Sequence, residues 1–240
     1  MTAIAETVVV AARALSDATN RMKFRSPVAL IYHPLDYAWL SHEAYLRKFA
    51  GSRKRILFLG MNPGPFGMAQ TGVPFGEVAA VRDWMGIAAP VGRPRKVHPK
   101  RPIEGFACPR SEVSGRRLWG LFAEHSGAAG RFFEEHFVAN YCPLAFLDKN
   151  GRNLTPDKLS ATETNRLFAA CDEHLRQITA ALQPEWVIGV GEFAQARARV
   201  ALAENGVRFG KILHPSPASP AANRNWAGLA TGQLRSLGVW

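Results

Sequence analysis

Apolar positions along the chain fall into short runs that alternate with longer segments of helical period. The runs that predict strands are Arg55 to Met61, Phe137 to Tyr141, Trp186 to Val190 and Val207 to Leu213. Continuous apolar runs of this kind suit strands covered on both faces. Helical spacing predicts helices near residues 4–20, 38–50, 115–125, 161–182, 192–204 and 223–237. This alternation favours an α/β fold with a central four-stranded parallel sheet flanked by helices on both faces.

The chain of 240 residues is long enough for one domain with a substantial core. We therefore predict a single domain over 1–240, in which the N-terminal helix within 1–23 is peripheral. The smaller predicted elements are an extended piece at 28–32 and a short helix from Glu77 to Met85. The apolar run TVVVAARAL is too short to span a bilayer, so it predicts an amphipathic helix and no membrane contact.

A long loop rich in Gly and Pro follows the first predicted strand. It covers residues 61–81 and carries almost no charge. Each Pro fixes a backbone angle, and each Gly allows the backbone to approach another group closely. Loops of this length inside a compact domain are usually functional. The loop therefore predicts a shaped pocket for a flat, neutral ligand that forms hydrogen bonds.

The chain is strongly basic, with 30 Lys and Arg against 19 Asp and Glu and a net charge of +11. This excess favours a polyanionic partner, although a basic protein without such a partner has the same composition. The stretch VGRPRKVHPKRP at 91–102 is interrupted by prolines and offers Arg95, Lys96 and Lys100 to phosphates. The cluster at 53–55 adds further positive charge. A solvated basic loop remains the alternative.

Other composition features limit the cofactors and the compartment. The three cysteines cannot all pair, and their spacing matches no metal or iron–sulfur motif. They predict reduced thiols in a cytoplasmic protein without a metal. The segment GVG at 189–191 lacks the third Gly of a dinucleotide fingerprint, and no phosphate-binding P-loop motif occurs. We therefore expect no cofactor.

Ligands of such folds bind beyond the carboxyl ends of the strands, where the strand order reverses. This rule selects Asn62 after the first predicted strand, Asn140 at the end of the second, Gly191 after the third and His214 after the fourth. Residues as far apart in the chain as Asn62 and His214 are thus expected to face one crevice.

These side chains suit a particular chemistry. The amide of Asn62 can orient a water molecule, and His214 can donate to a carbonyl oxygen that gains negative charge. Asn140 presents a donor beside an acceptor, which matches the O4 and N3–H edge of uracil, and Phe75 could stack on a base. Each also has a structural alternative, namely a turn, a structural histidine, a strand-end cap and a core aromatic.

Several motifs together resemble one known family. They are GMNPGPFGMAQTGVPFGEV at 60–78, HPKRP at 98–102, SEVSG at 111–115, NYCPL at 140–144, GRNLTP at 151–156, IGVG at 188–191 and HPSP at 214–217. The chain resembles the SMUG-type branch of the uracil-DNA glycosylase superfamily, the single-strand-selective monofunctional enzymes, over about residues 24–238.

The resemblance implies roles for individual residues. Asn62 corresponds to the residue that positions water, and His214 to the histidine that stabilises the departing base. Asn140 reads the base and Phe75 stacks on it. The resemblance also implies two further groups of residues, namely Met61 and Gly64 around the uracil 5 position, and a DNA-penetrating wedge from Pro215 to Ala222 that includes Ser216, Pro217, Ala218 and Ser219.

One position departs from the family pattern. Ala218 stands where members often carry a bulky basic residue. A smaller wedge fills the vacated base stack less well. Because an unstacked base is cheaper to extrude, we expect activity on single strands to survive more readily than activity on duplexes.

The sequence hypothesis is therefore hydrolysis of the N-glycosidic bond of uracil, and of 5-hydroxymethyluracil or related lesions, in single- and double-stranded DNA. The product is an abasic site in an intact strand. We expect a monomer that acts on the bacterial nucleoid. A non-catalytic protein that binds single-stranded nucleic acid on the same fold explains the basic stretch equally well. Hydrolysis of a free nucleoside is a third alternative, but it requires neither a wedge nor a basic surface.

Overall fold

A computed structural model describes residues 2–240, and its core is a four-stranded parallel sheet. The strands are β2 (Ile56–Gly60), β3 (His136–Asn140), β6 (Trp186–Val190) and β7 (Arg208–Ile212). Their order in the sheet is β3-β2-β6-β7. Both β2 and β3 are buried along their full length, as expected for strands that carry an apolar run and are covered on both faces. Each predicted strand is confirmed within one residue of its expected bounds.

Nine α-helices accompany the sheet within residues 2–240. They are α1 (Ala3–Asn20), α2 (Pro34–Tyr37), α3 (Trp39–Phe49), α4 (Met68–Thr71), α5 (Val113–Ser126), α6 (Ala129–Glu135), α7 (Ala161–Leu182), α8 (Glu192–Ala201) and α9 (Pro220–Ser236). None of these described helices is long and apolar enough to cross a membrane. The six longer predicted helices are thereby confirmed, whereas α6 was not expected.

Helices cover both faces of the sheet. The chain passes from β2 to β3 through α5 and α6, and it then moves in the opposite direction through α7 and α8. Right-handed crossovers place these two pairs on opposite faces. The Phe58 ring of β2 accordingly lies 4.8 Å from the Phe122 ring of α5, while Gly189 of β6 faces Gln195 of α8.

A second, antiparallel sheet lies outside the parallel one. It consists of β1 (Leu30–Tyr32), β4 (Ala145–Leu147) and β5 (Asn153–Leu154), in the order β1-β4-β5. The extended piece at 28–32 predicted β1. The other two strands have two or three residues each, which is too short for a recognisable alternation.

Two local elements differ from the predicted ones. The expected short helix from Glu77 to Met85 is helical over 78–84, but its turn at Ala80–Trp84 is π-helical. Helix α9 begins three residues earlier than predicted, because the Ser219 hydroxyl accepts a hydrogen bond from the Ala222 N–H at 3.3 Å and Pro220 occupies the first helical position.

The strand order determines where in the sheet the crevice lies. From β2 the chain continues to β3 on one side, whereas β6 lies on the other side of β2. The order therefore reverses between β2 and β6, and ligands of such folds bind at this point, beyond the carboxyl ends of the strands.

Candidate active site

Strand pairing brings Asn62 and Asn140 to neighbouring strand ends. Gly60 and Asn140 are register partners across β2 and β3. The pairing continues beyond the strands, because the Tyr141 N–H donates to the Gly60 carbonyl at 2.9 Å and the Cys142 N–H donates to the Met61 carbonyl at 2.8 Å. Asn62 thus leaves the sheet directly beside Asn140.

Asn140 carries a polar atom with no partner. The residue is 8% exposed, and its Nδ2 donates to the Met68 sulfur at 3.2 Å. Its Oδ1 is buried and accepts no hydrogen bond from residues 2–240. A buried oxygen without a donor costs about 1–3 kcal/mol. A ligand N–H at this position would remove that cost.

The Phe75 ring lies against Asn140 because residue 60 is glycine. A Cβ atom at Gly60 would lie 2.5 Å from Phe75 Cε2 and 2.3 Å from Asn140 Oδ1. Phe75 itself has a positive φ of 51°, which is unusual for a residue with a side chain. Its carbonyl is held at 3.0 Å by the Trp119 Nε1–H and at 2.7 Å by the Glu77 N–H. These contacts fix the ring at the strand end.

Asn62 has one occupied and one free polar group. Its Nδ2 donates to the Leu144 carbonyl at 3.2 Å, which sets the orientation of the amide. Its Oδ1 has no hydrogen-bond donor in the described part of the chain, and the residue is half-buried. The amide oxygen is therefore available to a water molecule.

His214 is held as a neutral donor. The Ser216 N–H donates to its Nδ1 at 3.1 Å, so the proton of the neutral ring belongs on Nε2. Burial lowers the pKa of His214 below its ordinary value, and the ring is accordingly neutral at pH 7. Its centroid lies 6.2 Å from that of Phe75. Gly191, with φ of 96°, passes close to the His214 side chain.

These residues form one crevice with complementary groups. Asn140 supplies an acceptor beside a donor, His214 supplies a ring N–H, and Phe75 supplies an aromatic face. Asn62 supplies an acceptor for water from the neighbouring strand end. Such an arrangement can hold the edge of a pyrimidine and stabilise negative charge on it. The convergence follows the sequence prediction, while the roles of the residues remain predictions.

The predicted wedge is only partly exposed. Pro215 is buried, Ser216 is half-buried, and Pro217 and Ala218 are exposed. Ser219 caps α9, so the residues after it belong to that helix. The exposed tip is therefore shorter than the segment that the sequence indicated.

The predicted phosphate contacts lie on an exposed surface. Arg95, Lys96 and Lys100 are all exposed. Arg95 and Lys96 line a groove of about 660 Å³ that extends to Leu144, whose carbonyl binds the Asn62 amide. Arg95 and Lys96 thus place positive charge on a surface groove whose inner wall includes Leu144.

Two other basic residues of the sequence analysis, Lys54 and Arg55, are structural. Lys54 is 3% exposed, and its Nζ donates to the Phe133 carbonyl. Arg55 pairs with Glu135 at 3.0 Å. Both precede β2 and therefore lie at the opposite edge of the sheet from Asn62. The expectation that the cluster at 53–55 supplements the basic stretch does not hold for Lys54 and Arg55, because these two side chains hold the amino ends of the strands, whereas Arg53 is exposed.

Three residues on or before α5 contact the site and carried no predicted role. Trp119 holds the Phe75 carbonyl, and Arg117 Nη1 donates to the Pro215 carbonyl at 3.0 Å. The carboxyl of Glu112 lies against Gly64. The motif SEVSG pointed to this segment, but local sequence gives no signal for contacts between distant segments.

Comparisons with known proteins show the family of the chain. A family model for the uracil DNA glycosylase superfamily matches residues 48–231. The single-strand selective monofunctional uracil DNA glycosylase of Bos taurus is 47% identical over 227 residues, which cover 94% of this chain and 84% of that protein. Those of Mus musculus and Rattus norvegicus are 49% and 50% identical, and each alignment covers 92% of this chain and 80% of the relative.

A solved structure shows the same fold. The crystal structure of wild-type Pedobacter heparinus SMUG2 aligns with a TM-score of 0.67, over 95% of this chain and 97% of that one, at 16% identity. The family model and the mammalian relatives each match most of the chain, and the range matched by the family model, 48–231, spans the positions of all four crevice residues. The chain therefore belongs to the uracil DNA glycosylase superfamily, in the branch of the single-strand selective monofunctional enzymes.

Proposed function

We propose that this protein is a monofunctional uracil-DNA glycosylase, which releases uracil from DNA and leaves an abasic site in an intact strand. The names of its mammalian relatives describe this activity. The observation that carries the proposal for this chain is the buried, unpartnered Oδ1 of Asn140 beside the Phe75 ring. That oxygen requires a donor, and the N3–H of uracil supplies one.

Base recognition follows from the two polar atoms of Asn140. Its Oδ1 accepts from N3–H, and its Nδ2 leaves the weakly accepting Met68 sulfur to donate to O4. Cytosine presents an acceptor at N3 and a donor at its 4-amino group, so both contacts would be mismatched. A site built for hydrogen bonds rejects such a base strongly.

The departing base leaves as an anion. Bond cleavage precedes water attack, so positive charge develops on the sugar and negative charge on uracil. The His214 Nε2–H and the Asn140 amide donate to the uracil oxygens. Each donor aimed at developing charge contributes about 2.7–4 kcal/mol. A neutral imidazole suffices, because its N–H is already oriented by the Ser216 contact.

Asn62 places the nucleophile. Its free amide oxygen accepts a hydrogen bond from a water molecule near the anomeric carbon. The water oxygen forms the new bond to that carbon, and the water proton passes to solvent. An amide is not a base, so the reaction depends on the sugar cation being formed first. No lysine nucleophile takes part, and the strand is therefore not nicked.

The finer scope of the activity is also part of this proposal. Met61 borders the uracil 5 position and leaves room for 5-hydroxymethyluracil, whereas the space beside Gly64 is taken by the Glu112 carboxyl. Arg95, Lys96 and Lys100 bind the phosphates. Single strands are preferred, because an unstacked base is cheaper to extrude. The enzyme acts as a monomer in the cytoplasm, on nucleoid DNA.

Base release from a uracil-containing single-stranded oligonucleotide tests the proposal. Free uracil should appear, and the strand should break only after alkali treatment. The Asn62→Ala variant should be slower by about 100-fold or more, since misplacement of a nucleophile has this effect. Asn205→Ala is the matched control, because Asn205 is exposed in the turn before β7, at the far edge of the sheet.

Two outcomes would contradict the proposal. Strand nicking without alkali would rule out the monofunctional reaction. DNA binding with a steep salt dependence but no release of base would favour the non-catalytic alternative. Free deoxyuridine serves as a second substrate, and equal turnover of it would indicate a nucleoside hydrolase.

A further inference from the structure

The carboxyl of Glu112 fills a hollow formed by three glycines. A Cβ atom at Gly64 would lie 1.6 Å from Glu112 Oε1, and one at Gly67 would lie 2.1 Å from Oε2. At Gly115, in the first turn of α5, it would lie 2.9 Å from Oε2 and 2.1 Å from the Phe75 carbonyl oxygen. The carboxyl thus occupies the space that side chains at these positions would take.

This hollow lies between the first residues of the Gly/Pro loop and the first turn of α5. Gly64 follows Asn62 by two residues, and the loop turn is closed by hydrogen bonds from the N–H groups of Gly67 and Ala69 to the Gly64 carbonyl, at 3.3 and 3.1 Å. Glu112 contacts this turn from the side of α5. Loss of its carboxyl would leave the turn after Asn62 unsupported on one side.

The surroundings of Glu112 disfavour a charged carboxylate. Its Oε2 is buried and has no hydrogen-bond partner within residues 2–240. Burial raises the pKa of Glu112 to about 7, and the negative charge of Glu77 adds to this effect. The Gly115 N–H opposes the shift by binding the carboxyl. Ionisation would leave a buried negative oxygen without a donor.

The other charged groups of the neighbouring elements are engaged elsewhere. Arg110, two residues before Glu112, places its guanidinium 4.1 Å from the centre of the Phe66 ring. Arg117 of α5 binds Pro215 and Asn223, and Arg116 is exposed. Glu77 accepts a hydrogen bond from the Ala80 N–H at 2.9 Å. A cation that would favour the ionised form is therefore not supplied by these elements.

We propose that Glu112 is a positioning residue that, in its neutral form, supports the turn carrying Asn62 and so holds the attacking water in place. The inference rests on the proposed function. Glu112 touches neither water nor base, so it acts through Gly64 and Gly67. The neutral form also avoids a negative charge beside a pocket in which uracil leaves as an anion.

The proposal predicts different effects for two substitutions. Glu112→Gln keeps the shape and cannot ionise, so kcat at pH 6 should stay within about threefold of the wild-type value. Glu112→Ala empties the hollow, and kcat should fall by about 10- to 100-fold with little change in KM, as expected when a reacting group is displaced. Glu124→Gln and Glu124→Ala, at an exposed position near the far end of α5, are the matched controls.

The pH profile separates positioning from a merely structural role. Ionisation of Glu112 should lower the wild-type kcat as pH rises through about 7, and Glu112→Gln should lack this decline. Stability gives a readout that is independent of activity. A carboxyl with a raised pKa in the fold holds its proton longer than in the unfolded chain, so the wild type loses stability between about pH 5 and 8. The urea midpoint of Glu112→Gln should rise relative to the wild type over that range.

Each possible result either supports or contradicts a positioning role for neutral Glu112. If Glu112→Gln is as slow as Glu112→Ala while both fold, the charged form is required and the proposal is wrong. If both variants match the wild type, Glu112 has no positioning role. Absence of uracil release by the wild-type protein would defeat the proposed function itself. In that case the stability shift of Glu112→Gln still reports whether Glu112 is neutral in the fold.

Discussion

The side chains that surround the crevice are uncharged at neutral pH. Asn62 and Asn140 are amides, and burial keeps the His214 imidazole neutral. Each of them has one polar atom engaged by the protein and one that remains for the substrate or water. Because one polar atom of each side chain is bound by the protein, the orientation of the side chain is fixed. No proton transfer from the protein is required.

The pH dependence of base release tests the state of His214. Its pKa lies below the ordinary value near 6.5, because burial disfavours the charged ring. Protonation would place a hydrogen on Nδ1 and break the contact with the Ser216 N–H. Activity should therefore fall as pH decreases through this lowered pKa. The measurement is kcat/KM against pH, with His214→Gln as the variant.

The variant should lose about 100-fold in kcat/KM, in keeping with the loss of one aimed donor. It should also lose the acid-side dependence. Nitrogen chemical shifts of His214 provide a direct control, because they distinguish the Nε2–H form. An Nδ1–H ring at pH 7 would contradict the assignment.

At the scale of elements, helix α5 joins segments that are distant in the chain. Glu112 before its first turn contacts the turn after Asn62, Trp119 binds the Phe75 carbonyl, and Arg117 binds the segment after His214. The wedge segment is further tied to α9, because Asn223 accepts from Arg117 at 2.9 Å and donates to the Pro217 carbonyl at 2.8 Å. One helix thus sets the relative position of both halves of the site.

Removal of Arg117 should loosen the segment that carries His214. We expect Arg117→Ala to reduce kcat by about 10-fold or more, since small displacements near reacting groups have large effects. Arg116→Ala, at the exposed neighbouring position, should be near wild type. The measurement is single-turnover base release from single-stranded DNA.

Combination with Asn223→Ala shows whether the two residues act together. A shared role predicts a coupling of about 0.5–3 kcal/mol in a double-mutant cycle. Strictly additive effects would mean that Arg117 and Asn223 hold the wedge segment independently.

A bulkier tip on the wedge should improve action on duplex DNA. Ala218 is exposed beside Pro217, so Ala218→Arg can add volume and charge without disturbing the core. A larger side chain fills the space left by the flipped nucleotide. The ratio of duplex to single-strand activity should rise several-fold. Ala203→Arg adds the same charge at the far edge of the sheet, and an equal rise there would point to general electrostatic attraction.

The sequence predicted the site residues that follow strand ends, but it did not predict those whose position depends on how helices pack. Asn62, Asn140 and His214 could be placed because continuous apolar runs define where strands stop. Glu112 and Arg117 could not, because the rotation of α5 about its axis is set by the packing of Trp119 and its neighbours. The short strands β4 and β5 depend likewise on a partner strand and not on their own sequence.

At the scale of the molecule, only part of the net charge of +11 is available to bind DNA. Arg95 and Lys96 of the stretch 91–102 are exposed and line a groove that also includes Leu144. Of the basic residues before β2, Lys54 and Arg55 form structural contacts at the opposite edge of the sheet. DNA affinity should accordingly depend on the location of charge and not on its total.

Salt dependence of binding measures this difference. If Arg95, Lys96 and Lys100 each contact a phosphate, their joint replacement by Ala should reduce the slope of log K against log[salt] by about 2 for single strands. The control replaces Arg53, Arg131 and Arg235, which are exposed and lie at the opposite edge of the sheet. Equal slopes for the two triple variants would show that binding follows total charge.

The order in which the crevice residues occur along the chain has a consequence for protein synthesis. Asn62, Phe75 and Asn140 are translated well before His214, and the segment that holds His214 depends on α9 near the carboxyl end. A nascent chain therefore carries its basic groove before it carries a complete site. Excision of a base must therefore wait until α9, which holds the segment before His214, has been synthesised.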